Sequence, residues 1–287
     1  MRVKFVFILL FVFSFTGHSQ TTSEVPCKLG VTLSGGAARG FAHIGILRAL
    51  DEAGIEIDCI SGSSMGALVG LFYAAGKTPD EIMEIAKSIK KRKLTNTGSF
   101  HFGKRGLDYV EQLLKKHIEQ TRFEELQKPL YICVTNLQTG QYEVISTGEI
   151  MTALLASVAI PFKFKQQFID GVPYIDGGVV NNLPVEPVRN TCRVVMGFSV
   201  NPIAYKSGKI SIRDKIVRVT ELMIHENEAH RIAMCDYHLE VPGLEVIDFE
   251  DYERADEIHD MGYHAAQGFI EQNPQLVQYY QAIGKRK

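Results

Sequence analysis

The sequence predicts an α/β fold with a mostly parallel central sheet, and two observations carry the prediction. From Leu29 onward, short apolar runs alternate with amphipathic helical patterns in the order strand, helix, strand, helix. Parallel neighbours require crossover connections of that kind. The first two strand-to-helix junctions are both rich in small residues: Ser34-Gly35-Gly36-Ala37-Ala38-Arg39-Gly40 and Gly62-Ser63-Ser64-Met65-Gly66. Open α/β sheets hold their sites at the carboxyl ends of the strands, where both junctions fall.

The elements follow in order. Arg2 and Lys4 precede an apolar stretch from Phe5 to Phe13, and Gly17-His18-Ser19 follows. Basic, apolar and small segments in that order predict a secretory signal over residues 1–19, with an uncleaved membrane anchor as the bland alternative. Cleavage before Gln20 would take the formal charge from −2 to −4, since Arg2 and Lys4 leave with it. Residues 20–27 read as a polar leader, and 28–287 as one folded domain with a helical C-terminal tail. Residues 29–33 are the first strand, followed by a helix with Phe41, Ile44, Leu47 and Leu50 on one face, stopping at Gly54. A second strand over 55–60 leads to Ser64 and a helix over 64–75. Pro79 opens a further helix in its first turn, which ends in the basic residues Lys87, Lys90, Lys91, Arg92 and Lys93. Residues 95–105 read as a loop and 107–118 as an amphipathic helix. Strand 130–135 turns at Gln138-Thr139-Gly140 into 142–146, a hairpin. A helix over 151–158 is broken by Pro161, and 168–175 carries a turn at Gly171. Residues 193–200 form a buried strand, with helices over 212–235 and 254–272 after it.

Composition bounds the function. Of 287 residues, 45% are hydrophobic and 22% charged, proportions that support a sizeable core. A net charge of −2 argues against nucleic acid as a general partner. Cys27, Cys59, Cys133, Cys192 and Cys235 show no C-x-x-C pair. Odd in number and widely spaced, they predict neither a disulfide framework nor a zinc site. Cys59 and Cys133 lie in apolar runs and read as buried small hydrophobes.

Gly62-Ser63-Ser64-Met65-Gly66 fits G-x-S-x-G, the nucleophile-elbow pattern, in the strand-to-helix context it requires. Ser64 there would be exposed at a helix N-terminus, with Gly62 and Gly66 permitting a tight turn; a plain helix cap is the bland alternative. A serine nucleophile needs a base and donors for the developing oxyanion. The loop Gly35, Gly36, Ala37, Arg39 and Gly40 offers backbone N–H groups for that purpose. A dinucleotide fingerprint fails, because Ala37 stands where its second glycine belongs and no acidic ribose ligand is clear. Asp176, followed by Gly177 and Gly178, is the best-placed base. His225-Glu226-Asn227-Glu228-Ala229-His230 looks metal-like, but its histidines are five apart rather than four and read as helix surface or packing. Arg39 either stabilises its loop or faces a lipid phosphate. Leu68, Phe72, Phe162 and Phe164 are acyl-pocket candidates.

These residues together resemble the patatin-like phospholipase family. The resemblance runs from about Lys28 to Val200. It rests on the glycine-rich loop at 34–40, the elbow at 62–66, the block Ala156-Ser157-Val158-Ala159-Ile160-Pro161-Phe162, and Asp176-Gly177-Gly178 followed by Asn181-Asn182-Leu183-Pro184. It implies a three-layer α/β/α fold and a Ser64–Asp176 dyad without histidine. Gly35, Gly36 and Ala37 would serve the oxyanion, with no metal or organic cofactor. Ser34 and Ala37 depart from the pattern, where relatives carry aspartate and a third glycine. Lipid esters are the implied substrates, with peripheral membrane contact and export as accompanying expectations. A histidine-dependent α/β-hydrolase, a non-catalytic lipid-binding protein and a nucleotide-binding oxidoreductase are the rival classes.

Overall fold

The computed structural model describes residues 27–89, 104–205 and 211–278. The expected signal at 1–19, the leader up to residue 26, the basic residues Lys90 to Lys93 and the loop from 95 to 103 lie outside the described residues. The strands are β1 (Cys27–Leu33), β2 (Cys59–Ser63), β3 (Leu130–Asn136), β4 (Tyr142–Ile145), β5 (Gln167–Ile169), β6 (Val172–Asp176), β7 (Cys192–Ser199) and β8 (Tyr237–Glu240). The helices are α1 (Ala42–Glu52), α2 (Met65–Ala74), α3 (Pro79–Ser88), α4 (Lys104–His117), α5 (Ile150–Ser157), α6 (Glu186–Thr191), α7 (Ile212–Ile232) and α8 (Ala255–Gln272).

The eight strands among the described residues join one sheet in the order β5-β6-β3-β2-β1-β7-β8, with β4 also paired to β3. The five strands from β3 to β8 in that order run parallel. β4 and β6 pair antiparallel with β3, and β5 with β6. Neighbouring residues of a strand point to opposite faces, and here they enter separate apolar clusters. Met196 and Ile60 join the large cluster with Ile44, Leu68 and Leu154, while Val195 and Cys59 join a smaller one with Leu183, Val185 and Val188. Helices therefore cover both faces, the three-layer arrangement expected. Helix α2 is buried along its whole length, so it carries no polar stripe, as a fully enclosed helix should not. Helix α3 starts where its sequence says: Thr78 and Glu81 form a reciprocal capping box, with Pro79 at the first position.

Three expectations need correction. Strand β2 lies at Cys59–Ser63 rather than 55–60. The Asp58 carboxylate accepts the amides of Lys28 and Leu29 at 2.7 and 2.8 Å, which ties residue 58 to the start of β1 just ahead of β2. The strand then runs through buried Ser61, whose Oγ donates to Pro184 O at 2.6 Å and loses nothing by burial. Strand β8 and helix α6 were not predicted; they are short, and β8 is half-exposed and polar. Lastly, Cys27 and Cys192 form a disulfide across 165 residues. Register explains it: Cys27 and Cys192 are Cα partners at the lower ends of β1 and β7. Cys59 packs against the pair, its sulfur 3.0 Å from that of Cys192.

Candidate active site

Three polypeptide turns meet at the carboxyl ends of β1, β2 and β7. The first is the elbow. Ser64 has φ 51° and ψ −121°, a backbone that non-glycine residues avoid. Such strain persists only where surroundings impose it. One imposition is Gly66, where a Cβ would lie 2.3 Å from Leu33 O and 2.6 Å from Ser34 O. Helix α2 can thus start hard against the end of β1. A second is Ser157, at the end of α5. Its Oγ accepts from Ser64 N at 3.0 Å and donates to Cys133 O at 2.7 Å.

Asp176 closes β6. Antiparallel pairing of β6 with β3 sets Asp176 opposite Val134, while β2 on the other side of β3 sets Ser63 opposite Cys133. Residues 112 apart in sequence thereby meet: Ser64 Oγ donates to Asp176 Oδ2 at 2.6 Å. Gly178 N donates to Oδ1 at 2.8 Å and fixes the second oxygen. A side chain at Gly177 would strike Cys133 O at 2.3 Å, so only glycine lets this turn approach β3. Both partners are buried, at 7% and 5% exposure. Burial pushes the Asp176 carboxyl up to about 6, against the opposing pull of the bonds from Ser64 and Gly178.

The glycine-rich loop is the third turn, and here one expectation fails. The Gly35 N–H does not face an open site; it donates to Asn182 O at 3.1 Å. Its carbonyl is likewise held, by Asn182 Nδ2 at 3.1 Å and Asn201 Nδ2 at 2.7 Å. Gly35 is needed instead for closeness, since a Cβ there would sit 3.0 Å from that of Ser64. Among the described residues, no protein acceptor takes the N–H of Gly36 or Ala37. Ala37 occupies the left-handed region at φ 45°, which explains why a glycine is the easier residue at this position. Gly40 packs on Met65.

Arg39 is buried and ion-paired. It is 2% exposed, pairs with Glu221 at 3.2 Å, donates from Nε to Ile247 O at 2.8 Å and stacks 4.2 Å over Phe249. His43 is fully buried and donates from Nε2 to Ser34 O at 2.8 Å; burial pushes it down to about 4, so it is neutral. Asp176 is the side-chain acceptor at Ser64.

An apolar cleft opens on Ser64, lined by Leu68, Val110, Leu113, Ile160, Phe164 and Tyr252 among others. Of the four pocket candidates, Leu68 and Phe164 line it. Phe72 belongs to the core, and Phe162 stands 96% exposed at φ 65°. Sequence reasoning missed Ser157, Asn182 and Asn201, whose work is to hold backbone. A signal existed in the polar Asn181-Asn182 pair beside apolar Leu183, but nothing local tells where such an amide points.

The architecture is that of an α/β/α protein with its polar centre at the carboxyl ends of parallel strands. A family model described as patatin-like phospholipase matches residues 31–189, and the chain belongs to that family. An uncharacterised NTE family protein of Mycobacterium bovis is 34% identical over 164 residues, covering 56% of this chain and 45% of its own length. Lysophospholipase NTE1 of Mycosarcoma maydis is 31% identical over 173 residues, covering 55% of this chain and 9% of its own. The chain thus spans less than half the length of these relatives. Among solved structures, VipD from Legionella pneumophila shares the fold, with TM-score 0.58 at 16% identity over 86% of this chain and 67% of that one.

Proposed function

We propose that this protein hydrolyses carboxylic esters of lipids through a Ser64–Asp176 dyad. The observation that carries the proposal is the 2.6 Å bond from Ser64 Oγ to a buried, ionisable Asp176. A serine hydroxyl is a weak nucleophile until a base takes its proton. Asp176 Oδ2 accepts that proton as Oγ attacks the ester carbonyl. Negative charge develops on the carbonyl oxygen, and the uncommitted N–H groups of Gly36 and Ala37 are the donors for it, beside the N-terminal end of α2. Protonated Asp176 then delivers its proton to the departing alcohol, leaving an acyl group on Ser64. Water attacks this ester with Asp176 again as base, which releases the fatty acid and restores the serine. The apolar lining of the cleft beside Ser64 suits an acyl chain.

The substrate class rests on family membership and on the relatives named for lysophospholipase activity. Contact with a lipid surface is part of the same reading. Phe162 stands out beside the cleft-lining Ile160 and Phe164, and Ile212, Ile216, Val219 and Met223 make an exposed apolar stripe along α7. No helix among the described residues is long and apolar enough to cross a membrane. Export by the segment 1–19 completes the proposal; a disulfide suits an oxidising compartment. Fluorophosphonate labelling with the adduct mapped by mass spectrometry is the test, followed by a lipid panel. The adduct is expected on Ser64, and Ser64→Ala is expected to abolish both labelling and turnover. Retained turnover would remove the proposal.

A further inference from the structure

The segment Asn227-Glu228, inside the stretch whose histidines the sequence assigns to helix surface, points into the protein. His225, Glu226 and His230 are exposed, but Glu228 is 3% exposed. Glu228 Oε1 accepts from Asn182 Nδ2 at 2.5 Å and from Asn201 Nδ2 at 3.3 Å. Each of these amides also donates to Gly35 O. An amide NH₂ has two hydrogens and no acceptor capacity, so each forks between the carboxylate and the loop carbonyl. The carboxylate therefore fixes which way both amides face. With an oxygen turned toward Gly35 instead, the carbonyl would be repelled.

The consequence for the loop follows from peptide geometry. The Gly35 carbonyl and the Gly36 N–H belong to one planar trans unit, so they point in opposite directions. Anchoring the oxygen on the Asn182 and Asn201 side aims the Gly36 N–H away from them, and that N–H has no protein acceptor among the described residues. One residue earlier on α7, Asn227 ties the other loop. Its Nδ2 donates to Gly178 O at 3.1 Å, and its Oδ1 accepts from Asn182 N at 3.0 Å. Gly178 is the residue whose N–H holds Asp176. Two consecutive side chains of one helix thus reach both the glycine-rich loop and the aspartate turn.

We infer that Glu228 is a positioning residue: acting through Asn182 and Asn201, it orients the Gly35–Gly36 peptide so that the Gly36 N–H meets the oxyanion. This rests on the ester-hydrolase reading above. A merely structural carboxylate would be a poor choice at this place. Burial pushes Glu228 up to about 7, opposed by bonds from Asn182, Ser199 and Asn201 and reinforced by Glu240 on β8. An ionised carboxylate held there works against folding, so a role other than stability accounts for it better.

The test is steady-state hydrolysis of a soluble short-chain ester at pH 8 by the full chain, with thermal midpoints alongside. Glu228→Gln keeps an acceptor oxygen and is expected to hold kcat within about threefold. Glu228→Leu removes it. Loss of alignment at one donor should lower its kcat on the order of 10–100-fold with KM within about twofold, because the oxyanion exists only near the transition state. Its thermal midpoint should equal or exceed that of the native protein. Asn201→Ala deletes the shorter bond to Gly35 and the 3.3 Å bond to Glu228 while leaving the carboxylate and its Asn182 partner in place, and should give the same kcat signature, even if Glu228→Leu fails to fold. Unchanged kcat in Asn201→Ala, equal loss in the Gln and Leu variants, or a loss confined to KM would overturn the inference alone. Turnover that survives Ser64→Ala would overturn it together with the function it serves.

Discussion

Replacing Asp176 by asparagine separates two effects that the buried carboxyl combines. The geometry keeps its place, since asparagine has the same shape, but the base is lost. Hydrolysis is expected to fall by roughly 10⁴-fold, the order seen when a serine dyad or triad loses its acid–base partner. On the proposed mechanism, the native protein should show a hydrolysis rate rising with pH through a midpoint near 6, the value to which burial pushes Asp176. At pH 5, about one molecule in ten would carry the active carboxylate, a roughly tenfold loss relative to pH 8. Stability moves the other way. The folded carboxyl titrates above its ordinary value of 3.8, so folding favours the protonated form. That contribution is fully present below about pH 4 and is lost as pH rises through about 6. At neutral pH the ionised side chain costs about 3 kcal/mol, at about 1.4 kcal/mol per pH unit between the two values. Asp176→Asn should therefore melt several degrees higher than the native chain at pH 8, at roughly 2–4 °C per kcal/mol for a domain this size. The advantage should vanish at pH 4. Comparing the two proteins cancels other buried acids such as Glu228, which shift with the same sign. Hydrolysis of a soluble ester from pH 4.5 to 8.5 at constant ionic strength, with melting at pH 4 and pH 8, measures both. A variant retaining more than a tenth of the turnover, or melting identically to the native chain at pH 8, would refute the assignment.

Further outcomes follow from the same geometry. Ser64→Gly relieves a backbone at φ 51°; it should remove activity yet raise stability by about 1 kcal/mol, part of the usual 1–3 kcal/mol of such strain being offset by added freedom in the unfolded chain. Chemical denaturation reads this directly. Ser157→Ala takes the acceptor from Ser64 N; it should lower kcat while costing about 1–3 kcal/mol, the penalty for a buried amide left unpaired. Gly177→Ala forces a Cβ to within 2.3 Å of Cys133 O; soluble yield should collapse on expression, and a well-folded, active alanine variant would contradict the packing described. Reducing the Cys27–Cys192 bond should cost about 2–4 kcal/mol, visible as a lower melting temperature in reductant that Cys192→Ser reproduces without reductant.

Much of this fold was legible because its strongest signals are local. A strand that must turn sharply into a helix demands small residues, and the stretches at 34–40 and 62–66 announce that demand wherever they occur. Alternation of apolar runs with helical patterns predicted parallel strands, since no short connection can join them. The glycine at 66 could be read as permissive from sequence, yet its real reason is the Leu33 and Ser34 carbonyls beneath it, which no local pattern displays. Strand β8 was hidden because an edge strand with half-exposed polar residues lacks the alternation that marks a buried face.

The sequence by itself determined that Ser64 would sit on an elbow, that a glycine-rich loop would accompany it, and that Asp176 would occupy an unencumbered turn. Only the tertiary structure decided who meets whom. Sheet register brought Asp176 to Ser64 and Cys27 to Cys192, and set the polar face of α7 behind the loop. It also spent the Gly35 N–H on Asn182, leaving its neighbours uncommitted. Hydrogen bonds and contacts across more than a hundred residues depend on strand order and pairing, and these are chosen by the burial of the whole core rather than by any short stretch of chain.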